Sequence, residues 1–363
     1  MASNEFHPLT VADVTPACDD AVAVRFDVPA PLQPLFAFAP GQHIALRHIA
    51  PEGELRRSYS VCAAPGEALR VGVRRVPGGA MSNWLHDTLR PGLVLEVMPP
   101  QGRFGAALAR PAVGGRHVLG VAGGSGITPI LSILQAVLAA EPRSRCTLLY
   151  GNRSLASTMF HEELQALKNR YLARLALHPV FSREAVDLPL HSGRLDGARI
   201  DQLLTLVGGV DEAFICGPHD FNDAAEAALL ARGLQAQQVH VERFGVPPAW
   251  AAPVAPAMPV ANASLAHLLT ARRVRLVRDG VTREITMQPE DTSVLAAARR
   301  AGLALPYSCQ SGVCATCRAK CVEGQVTMAR NFALEPAEVA AGWVLACQAR
   351  PTGNSLVLDF DAR

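Results

Sequence analysis

The pattern of apolar and polar positions changes character along the 363-residue chain. Up to about residue 110, short segments alternate apolar and polar side chains between Pro and Gly residues, for example at 21–26 and 43–47. Alternation over so few residues predicts β-strands that bury one face. Many short strands separated by turn residues are typical of a small antiparallel barrel, so we expect one in this region.

Residues 111–245 instead alternate apolar strands with helical segments. A buried strand at 117–122 leads into a glycine-rich turn at 123–129 and then into an apolar helix at 130–139. Further strands are predicted at 146–150, 175–181 and 212–216, and a further helix at 157–170. This alternation predicts a parallel sheet that binds its ligands beyond the carboxyl ends of the strands.

A stretch rich in Pro and Ala, residues 246–268, predicts an extended, semi-rigid linker. Beyond it, strands at 274–277 and 283–286 flank Asp279-Gly280, which is a hairpin signal, and a helix is predicted at 294–301. The pattern therefore divides the chain into domains at 1–110, 111–245 and 269–363, with the linker between the second and the third.

Composition narrows the possible classes of function. Lys and Arg total 34 against 32 Asp and Glu, and this balance gives no support for nucleic-acid binding. No apolar run reaches the roughly 18 residues of a membrane span, and the N-terminus has no apolar signal segment. The nine cysteines fit a reducing compartment. We therefore expect a cytoplasmic protein whose partners include no nucleic acid and no membrane.

Four cysteines carry the strongest chemical signal. Cys309, Cys314 and Cys317 have C-x4-C-x2-C spacing, and Cys347 follows further along the chain. This is the ligand spacing of a plant-type [2Fe–2S] ferredoxin. Zinc usually takes two C-x2-C pairs, and a disulfide framework suits small secreted chains, so both alternatives fit less well. Cys321 lies close behind the motif and is interpreted as a spare thiol.

Two segments of the first region can hold a flavin. Arg57 and Tyr59 share one face of a strand, where a guanidinium can pair with a pyrophosphate and a phenol ring can stack on a flat heterocycle. Ser60 can reach the same ligand with its hydroxyl or its backbone N–H. Gly79-Ala80-Met81-Ser82 then opens a helix predicted at 83–89, with the serine at its cap as an anion site. These residues can also be explained without a flavin, the first segment as an ordinary half-exposed strand and the second as a plain serine helix cap.

The glycine-rich turn indicates a dinucleotide site, because it follows a buried strand and opens a helix. Pro129 departs from a strict G-x-G-x-x-G motif. Arg153 and Arg183 follow strand ends, and no acidic residue comes directly after the first of these strands. We therefore expect NADPH rather than NADH, with both arginines on the 2′-phosphate, unless they are merely solvated. Cys216 can contact the nicotinamide, but not as a nucleophile.

Together these motifs resemble ferredoxin–NADP reductase-type oxidoreductases fused to a plant-type ferredoxin, which are the reductase components of multicomponent oxygenases. Several segments are most similar to the reductase subunits of phenylacetyl-CoA epoxidases, and reductases of steroid and aromatic-ring hydroxylases share the same plan. These segments are residues 74–79, 97–104, 150–154 and 313–320.

The resemblance implies a fold and a set of site residues. The fold has an N-terminal antiparallel β-barrel FAD domain, a parallel α/β nucleotide-binding domain and a C-terminal β-grasp ferredoxin domain. The implied cofactor-binding residues are Arg57, Tyr59, Ser60, Arg74, Gly79, Met81, Ser82, Gly123, Gly124, Gly126, Thr128, Pro129, Arg153, Ser182, Arg183, Cys216, Gly217 and Pro218. The implied cluster ligands are Cys309, Cys314, Cys317 and Cys347.

The implied activity is electron transfer from NADPH through FAD and a [2Fe–2S] cluster to a separate oxygenase, the di-iron phenylacetyl-CoA epoxidase in particular. No catalytic acid or base is needed for this. The sequence has no facial triad of His and carboxylate and no haem motif, so we expect that the chain does not itself oxygenate a substrate. A stand-alone flavin reductase or diaphorase and a cluster-binding regulator are the alternatives.

Overall fold

The computed structural model describes residues 5–51, 53–245 and 272–362. It divides into two compact units, Met1–Phe244 and Gly245–Arg363. The predicted linker, residues 246–268, lies outside the described residues. Within these ranges, no helix combines the length and the apolar character that crossing a membrane requires.

The first part of the larger unit is an antiparallel sheet in the order β4-β3-β6-β1-β2-β5. Its strands are β1 (His7–Cys18), β2 (Ala21–Asp27), β3 (His43–Ala50), β4 (Gly53–Ser60), β5 (Arg70–Arg74) and β6 (Val94–Gln101). A bridge between Val61 and Val71 joins the two edges of the sheet, and the Cys62 N–H donates to the Arg70 carbonyl at 2.9 Å. These contacts close the sheet into the predicted barrel.

The helix of the barrel, α1 (Ala80–Thr88), begins earlier than residue 83, where the sequence predicted it. Gly79 is its N-cap, and Ser82 lies in the first turn rather than at the cap. The Ser82 hydroxyl accepts the Val76 N–H at 3.2 Å and donates to the Gly79 carbonyl at 3.3 Å. The serine therefore stabilises the tight turn before the helix, which is why the helix starts one turn sooner.

The second part of the larger unit is a parallel sheet in the order β11-β10-β7-β8-β9. Its strands are β7 (His117–Gly123), β8 (Arg145–Asn152), β9 (Leu175–Phe181), β10 (Glu212–Gly217) and β11 (Val239–Arg243), and its helices are α2 (Ile127–Ala140), α3 (His161–Tyr171), α4 (Gly197–Leu204) and α5 (His219–Ala231). Every residue of β7 is buried, because helices cover both faces of the sheet.

Two helices of this part start at other residues than predicted. Helix α2 begins at Ile127 and not at 130, since Pro129 lies in its first turn, where its missing N–H costs nothing. Helix α3 begins at His161 and not at 157, because Phe160 adopts a left-handed backbone conformation with φ 59° that excludes it from the helix.

The smaller unit is a mixed sheet in the order β13-β12-β16-β14-β15, with β12 and β16 parallel. Its elements are β12 (Arg272–Arg278), β13 (Val281–Met287), α6 (Val294–Arg300), β14 (Arg318–Met328), α7 (Pro336–Ala340), β15 (Trp343–Leu345) and β16 (Ala349–Asp359). Asp279 and Gly280 form the predicted hairpin turn with φ 53° and 72°. Helix α6 buries Val294, Leu295 and Ala297 in the core of this sheet, as in a β-grasp fold.

Candidate functional site

A cleft of about 450 Å³ opens where the parallel strands end. This volume lies within the usual range of small-molecule sites. The sequence-predicted residues that line the cleft are Arg74, Gly123, Gly124, Gly126, Arg153, Ser182, Gly217 and Pro218. The structure therefore brings together most of the predicted dinucleotide residues in one cavity at the carboxyl edge of the sheet.

The glycine-rich turn approaches the neighbouring strand too closely for any side chain. A Cβ on Gly126 would lie 1.9 Å from the carbonyl oxygen of Cys216 in β10. Gly124 has φ +54°, and the Nη1 atom of Arg74 lies 3.1 Å from the position of a Cβ there. The turn runs directly into α2, whose N-terminal N–H groups favour an anion. A dinucleotide pyrophosphate fits this cradle.

Four predicted residues lie elsewhere than in the cleft lining. The Thr128 hydroxyl donates to the Ser125 carbonyl at 3.0 Å, and its methyl group packs against Gly72 of the barrel. Pro129 is buried in α2, and Arg183 is exposed. Cys216 is fully buried, and burial raises the pKa of its thiol well above the ordinary value. A thiol in this state is a poor nucleophile.

Asn152 also lines the cleft and was missed at the sequence level, although it directly precedes Arg153. Only 8% of its surface is exposed, and neither its amide nitrogen nor its amide oxygen has a hydrogen-bond partner among the described residues. The Asn152 side chain lies near the Tyr150 hydroxyl and acts to lower the pKa of that phenol, although burial raises it overall. Beyond this contact with the Tyr150 phenol the amide makes no hydrogen bond within the described part of the chain, and a buried amide in that state is costly unless a ligand satisfies it.

Replacing Asn152 by leucine is therefore expected to weaken dinucleotide binding without weakening the fold. Because an unpaired amide is exchanged for an apolar group of similar size, the free energy of unfolding of the nucleotide-free protein should stay the same or rise by about 1 kcal/mol, while KM for the dinucleotide rises roughly tenfold. Thermal unfolding and steady-state kinetics measure the two effects. Gln135→Leu, outside the cleft lining, should leave KM unchanged. A lower melting temperature with an unchanged KM would make Asn152 a structural residue.

The predicted flavin residues lie on β4 and at the start of α1. Arg57 is exposed at the barrel surface, and Tyr59 follows it on the same face. Met81 is buried in the barrel core, so its side chain packs against protein. A Cβ on Gly79 would lie 2.7 Å from the Ser82 oxygen, so only a glycine leaves the backbone of this turn open. The turn and the exposed guanidinium fit a pyrophosphate.

Glu242 on β11 lies beside this region and was also missed at the sequence level. The Ser60 hydroxyl donates to its carboxylate at 3.3 Å, which joins the barrel to the nucleotide-binding sheet. Part of Glu242 still reaches solvent, yet burial raises its pKa to about 8. The carboxyl group can therefore hold or release a proton near neutral pH, next to a residue predicted to bind flavin. The sequence does not indicate this contact or the raised pKa, because Glu242 is a single acidic residue in a short strand without a motif around it.

The four predicted cluster ligands form two pairs of thiols. The contact with Cys314 raises the pKa of Cys309, and the contact with Cys347 raises the pKa of Cys317. No three His, Cys, Asp or Glu side chains of the described residues converge as they would on one metal ion. Each of Cys309 and Cys317 is also influenced by a thiol of the other pair, so the four sulfurs lie close together, and four cysteine ligands are what a [2Fe–2S] cluster takes.

Backbone and side-chain N–H groups point at these sulfur atoms. The Ser311 N–H lies 3.3 Å from Cys309 Sγ, the Cys347 N–H lies 3.5 Å from Cys317 Sγ, and Gln348 Nε2 lies 3.4 Å from Cys347 Sγ. Such hydrogen bonds favour thiolates and tune the reduction potential of a cluster. Gly312 has φ +80°, and a Cβ there would meet the Arg330 carbonyl at 3.1 Å. The donor set therefore fits a [2Fe–2S] cluster.

Cys321 lies apart from these pairs. It belongs to β14, and its thiol faces the carbonyl groups of Glu323 and Gly324 at 3.8 and 3.6 Å. Burial raises its pKa, and none of the four cluster thiols is among the causes. All nine cysteines lie in the described ranges, and none of them is in a disulfide bond.

Comparison with known families and proteins matches this layout. An oxidoreductase FAD-binding domain matches residues 8–105, an oxidoreductase NAD-binding domain matches 121–227, and a 2Fe-2S iron-sulfur cluster binding domain matches 276–352. One of the subunits of 1,2-phenylacetyl-CoA epoxidase from Escherichia coli (strain K12) is 44% identical over 99% of this chain and 98% of that protein. The chain belongs to the iron–sulfur flavoprotein reductases of multicomponent oxygenases.

Other members of this reductase family align over nearly the whole chain. The ferredoxin reductase component of 3-ketosteroid-9-alpha-monooxygenase from Rhodococcus rhodochrous is 35% identical over 97% of this chain and 96% of that protein. The chain superposes with a TM-score of 0.58 on phthalate dioxygenase reductase, which has a modular structure for electron transfer from pyridine nucleotides to [2Fe-2S]. It is 25% identical and covers 98% of each chain. The predicted fold class, the oxidoreductase activity and the three kinds of cofactor domain are confirmed.

Proposed function

We propose that this chain carries electrons from NADPH to the oxygenase component of a phenylacetyl-CoA epoxidase. The observation that carries this proposal is the 44% identity, along nearly the full length of both chains, to one of the subunits of that enzyme. A steroid hydroxylase reductase is the second candidate, because the 3-ketosteroid-9-alpha-monooxygenase component also aligns with almost the whole chain. A stand-alone flavin reductase is less well supported, since the full cluster motif is present.

Different residues of the chain bind the dinucleotide, hold the cluster and carry a proton. A bound FAD would supply the chemistry that joins a two-electron hydride donor to a one-electron cluster. The glycine-rich turn and the N-terminus of α2 hold the dinucleotide phosphates, and Arg74 and Arg153 face the same cleft. The N–H groups around Cys309 and Cys317 favour the thiolate state that binds iron. Glu242 can hold a proton beside Ser60.

The preference for NADPH over NADH rests on the arginine side chains of the cleft. Arg153 and Arg194 line it, and Arg183, the other arginine that the sequence analysis assigned to the 2′-phosphate, is not among the lining residues. No acidic side chain is among the lining residues of the described chain. Arginine favours a 2′-phosphate, and an acidic residue would favour the free ribose hydroxyl.

The proposal also includes the limits of the three domains and a cytoplasmic location. We assign residues 1–110 to the FAD domain, 111–245 to the nucleotide domain and 269–363 to the cluster domain, with a linker at 246–268. The family matches at 8–105, 121–227 and 276–352 support this division. A cytoplasmic location is supported by the five cysteines outside the cluster motif, since such use of cysteine is typical of reducing compartments.

An anaerobic titration followed by reconstitution tests the proposal. We expect NADPH to bleach both the flavin and the cluster absorption bands, and to do so at lower concentration than NADH. Addition of the epoxidase oxygenase component, phenylacetyl-CoA and oxygen should then give epoxide, and the reductase alone should give none. Bleaching of the flavin bands alone would remove the cluster from the electron path. Turnover with a 3-ketosteroid oxygenase but not with the epoxidase would favour the second candidate.

A further inference from the structure

The turn between β1 and β2 extends from the barrel to the rim of the nucleotide cleft. Backbone hydrogen bonds fix it on both sides. The Asp19 N–H donates to the Ala156 carbonyl at 3.2 Å, and the Phe160 N–H donates to the Ala17 carbonyl at 3.0 Å. The Arg75 N–H donates to the Asp20 carbonyl at 2.8 Å. The side chain of Asp20 therefore starts from a backbone that cannot easily move.

The Asp20 carboxylate contacts both Arg74 and Arg153, two of the arginines that line the cleft. Its Oδ2 atom accepts a hydrogen bond from Arg153 Nη2 at 2.6 Å. Its Oδ1 atom lies 3.2 Å from Arg74 Nε and accepts the Cys18 thiol at 3.2 Å. Burial alone would raise the pKa of Asp20, but the thiol and the two guanidinium groups outweigh it and lower that pKa. The carboxylate is thus charged.

These contacts decide which edge of Arg74 faces the cleft. Its Nε lies at ion-pair distance from Asp20, 3.2 Å from Oδ1, without forming a hydrogen bond, and its Nη2 donates to the Ser157 carbonyl at 2.6 Å and to Cys18 Sγ at 3.4 Å. Its Nη1 atom faces the glycine-rich turn, 3.1 Å from where a Gly124 Cβ would lie. Arg153, in turn, contacts Asp20 through Nη2 and leaves about half of its side chain exposed at the cleft.

We propose that Asp20 is a positioning residue for the pyridine dinucleotide, which it serves by holding the guanidinium groups of Arg74 and Arg153 toward the phosphates. This inference rests on the proposed function of the cleft. An arginine side chain that is already oriented loses less rotamer freedom when it binds a phosphate. The carboxylate also offsets the repulsion between two neighbouring guanidinium groups before the ligand arrives.

Substitution of Asp20 by asparagine in the full-length protein with its cofactors tests this inference. With ferricyanide as the electron acceptor, we expect KM for NADPH to rise roughly tenfold, because the guanidinium groups of Arg74 and Arg153 lose the carboxylate that orients them before the dinucleotide binds. We expect kcat, the flavin spectrum and the melting temperature to change little. A residue that only stabilised the fold would instead lower the melting temperature and the yield of holoprotein, with KM unchanged.

The matched control is Asp19→Asn, the same loss of charge in the same turn. Asp19 is exposed, so this variant should keep the wild-type KM. Because Asp20 acts through Arg153, Asp20→Asn should raise KM less in an Arg153→Ala background than in the wild type. Asp20→Glu, which keeps the charge, should recover part of the affinity.

Three results would overturn the inference. They are an unchanged KM in Asp20→Asn, a lowered KM, which would mean that Asp20 opposes the phosphate, and full additivity with Arg153→Ala. If Asp20→Asn cannot be purified, the KM of Asp20→Glu decides: a value equal to that of a charge-free Asp20→Ser variant would also overturn the inference. Failure of the proposed dinucleotide role of the cleft is distinguishable, since the wild-type protein would then reduce ferricyanide with neither NADPH nor NADH.

Discussion

Replacing Gly126 by alanine is expected to abolish reduction of the flavin by NADPH. The added Cβ would lie 1.9 Å from the carbonyl oxygen of Cys216, 2.4 Å from its carbonyl carbon and 2.8 Å from the Gly217 nitrogen. All three atoms belong to the backbone of β10, which is paired with β11 on one side and β7 on the other, so no side chain can move aside. The turn must shift away from the strand, at a cost of about 3 kcal/mol or more.

Anaerobic titration with NADPH measures this effect directly, because the absorption bands of the cofactors report each step. In Gly126→Ala the cluster should still be present and reducible by dithionite, since it belongs to the other compact unit. Gly114→Ala is the matched control, because a Cβ there meets nothing within 4 Å. A Gly126→Ala protein that is reduced at the wild-type rate would show that the turn and β10 are further apart than the structure has them.

The hydrophobic pattern was sufficient to predict the antiparallel barrel and the parallel sheet, whereas the β-grasp domain was implied by the family resemblance. Partial alternation of burial in residues 21–26 and complete burial of residues 117–122 correspond to the two ways in which a strand can be buried, on one face and on both. Boundaries were less accurate. Helix α3 begins after Phe160 because of a left-handed backbone that no propensity of phenylalanine indicates.

The parts of the site that lie on local motifs could also be predicted. The glycine-rich turn and the cysteine loop each bring their residues together within one short segment, so spacing alone carries the information. Glu242 and Asp20 could not be predicted, because each acts across the junction of the barrel and the parallel sheet. Their partners, Ser60 and Arg153, are 182 and 133 residues away in the sequence. Only the folded chain brings these side chains into contact.

Substitution of a cluster ligand should separate the two halves of the electron path. In Cys314→Ser we expect loss of the cluster absorption bands and a fall of oxygenase-coupled turnover to background, because one pair of thiolates is broken. Reduction of ferricyanide by NADPH should stay close to the wild-type rate, since FAD and the nucleotide cleft belong to the other unit. Iron content, visible absorption and the two activities, measured on one preparation, give the result.

Cys321→Ser is the matched control for this substitution, because it makes the same change a few residues further on, in the strand that follows the cluster loop. The Cys321 thiol faces two backbone carbonyl groups and none of the four paired sulfurs, so the variant should keep its cluster and both activities. If Cys321→Ser lost the cluster while Cys347→Ser kept it, the fourth ligand would be Cys321 and the pairing of Cys317 with Cys347 would be wrong. If instead Cys314→Ser lost the ferricyanide activity as well, the cluster would be needed for the integrity of the flavin-binding unit. The two units would then depend on each other for stability, despite the separate hydrophobic core that each of them forms.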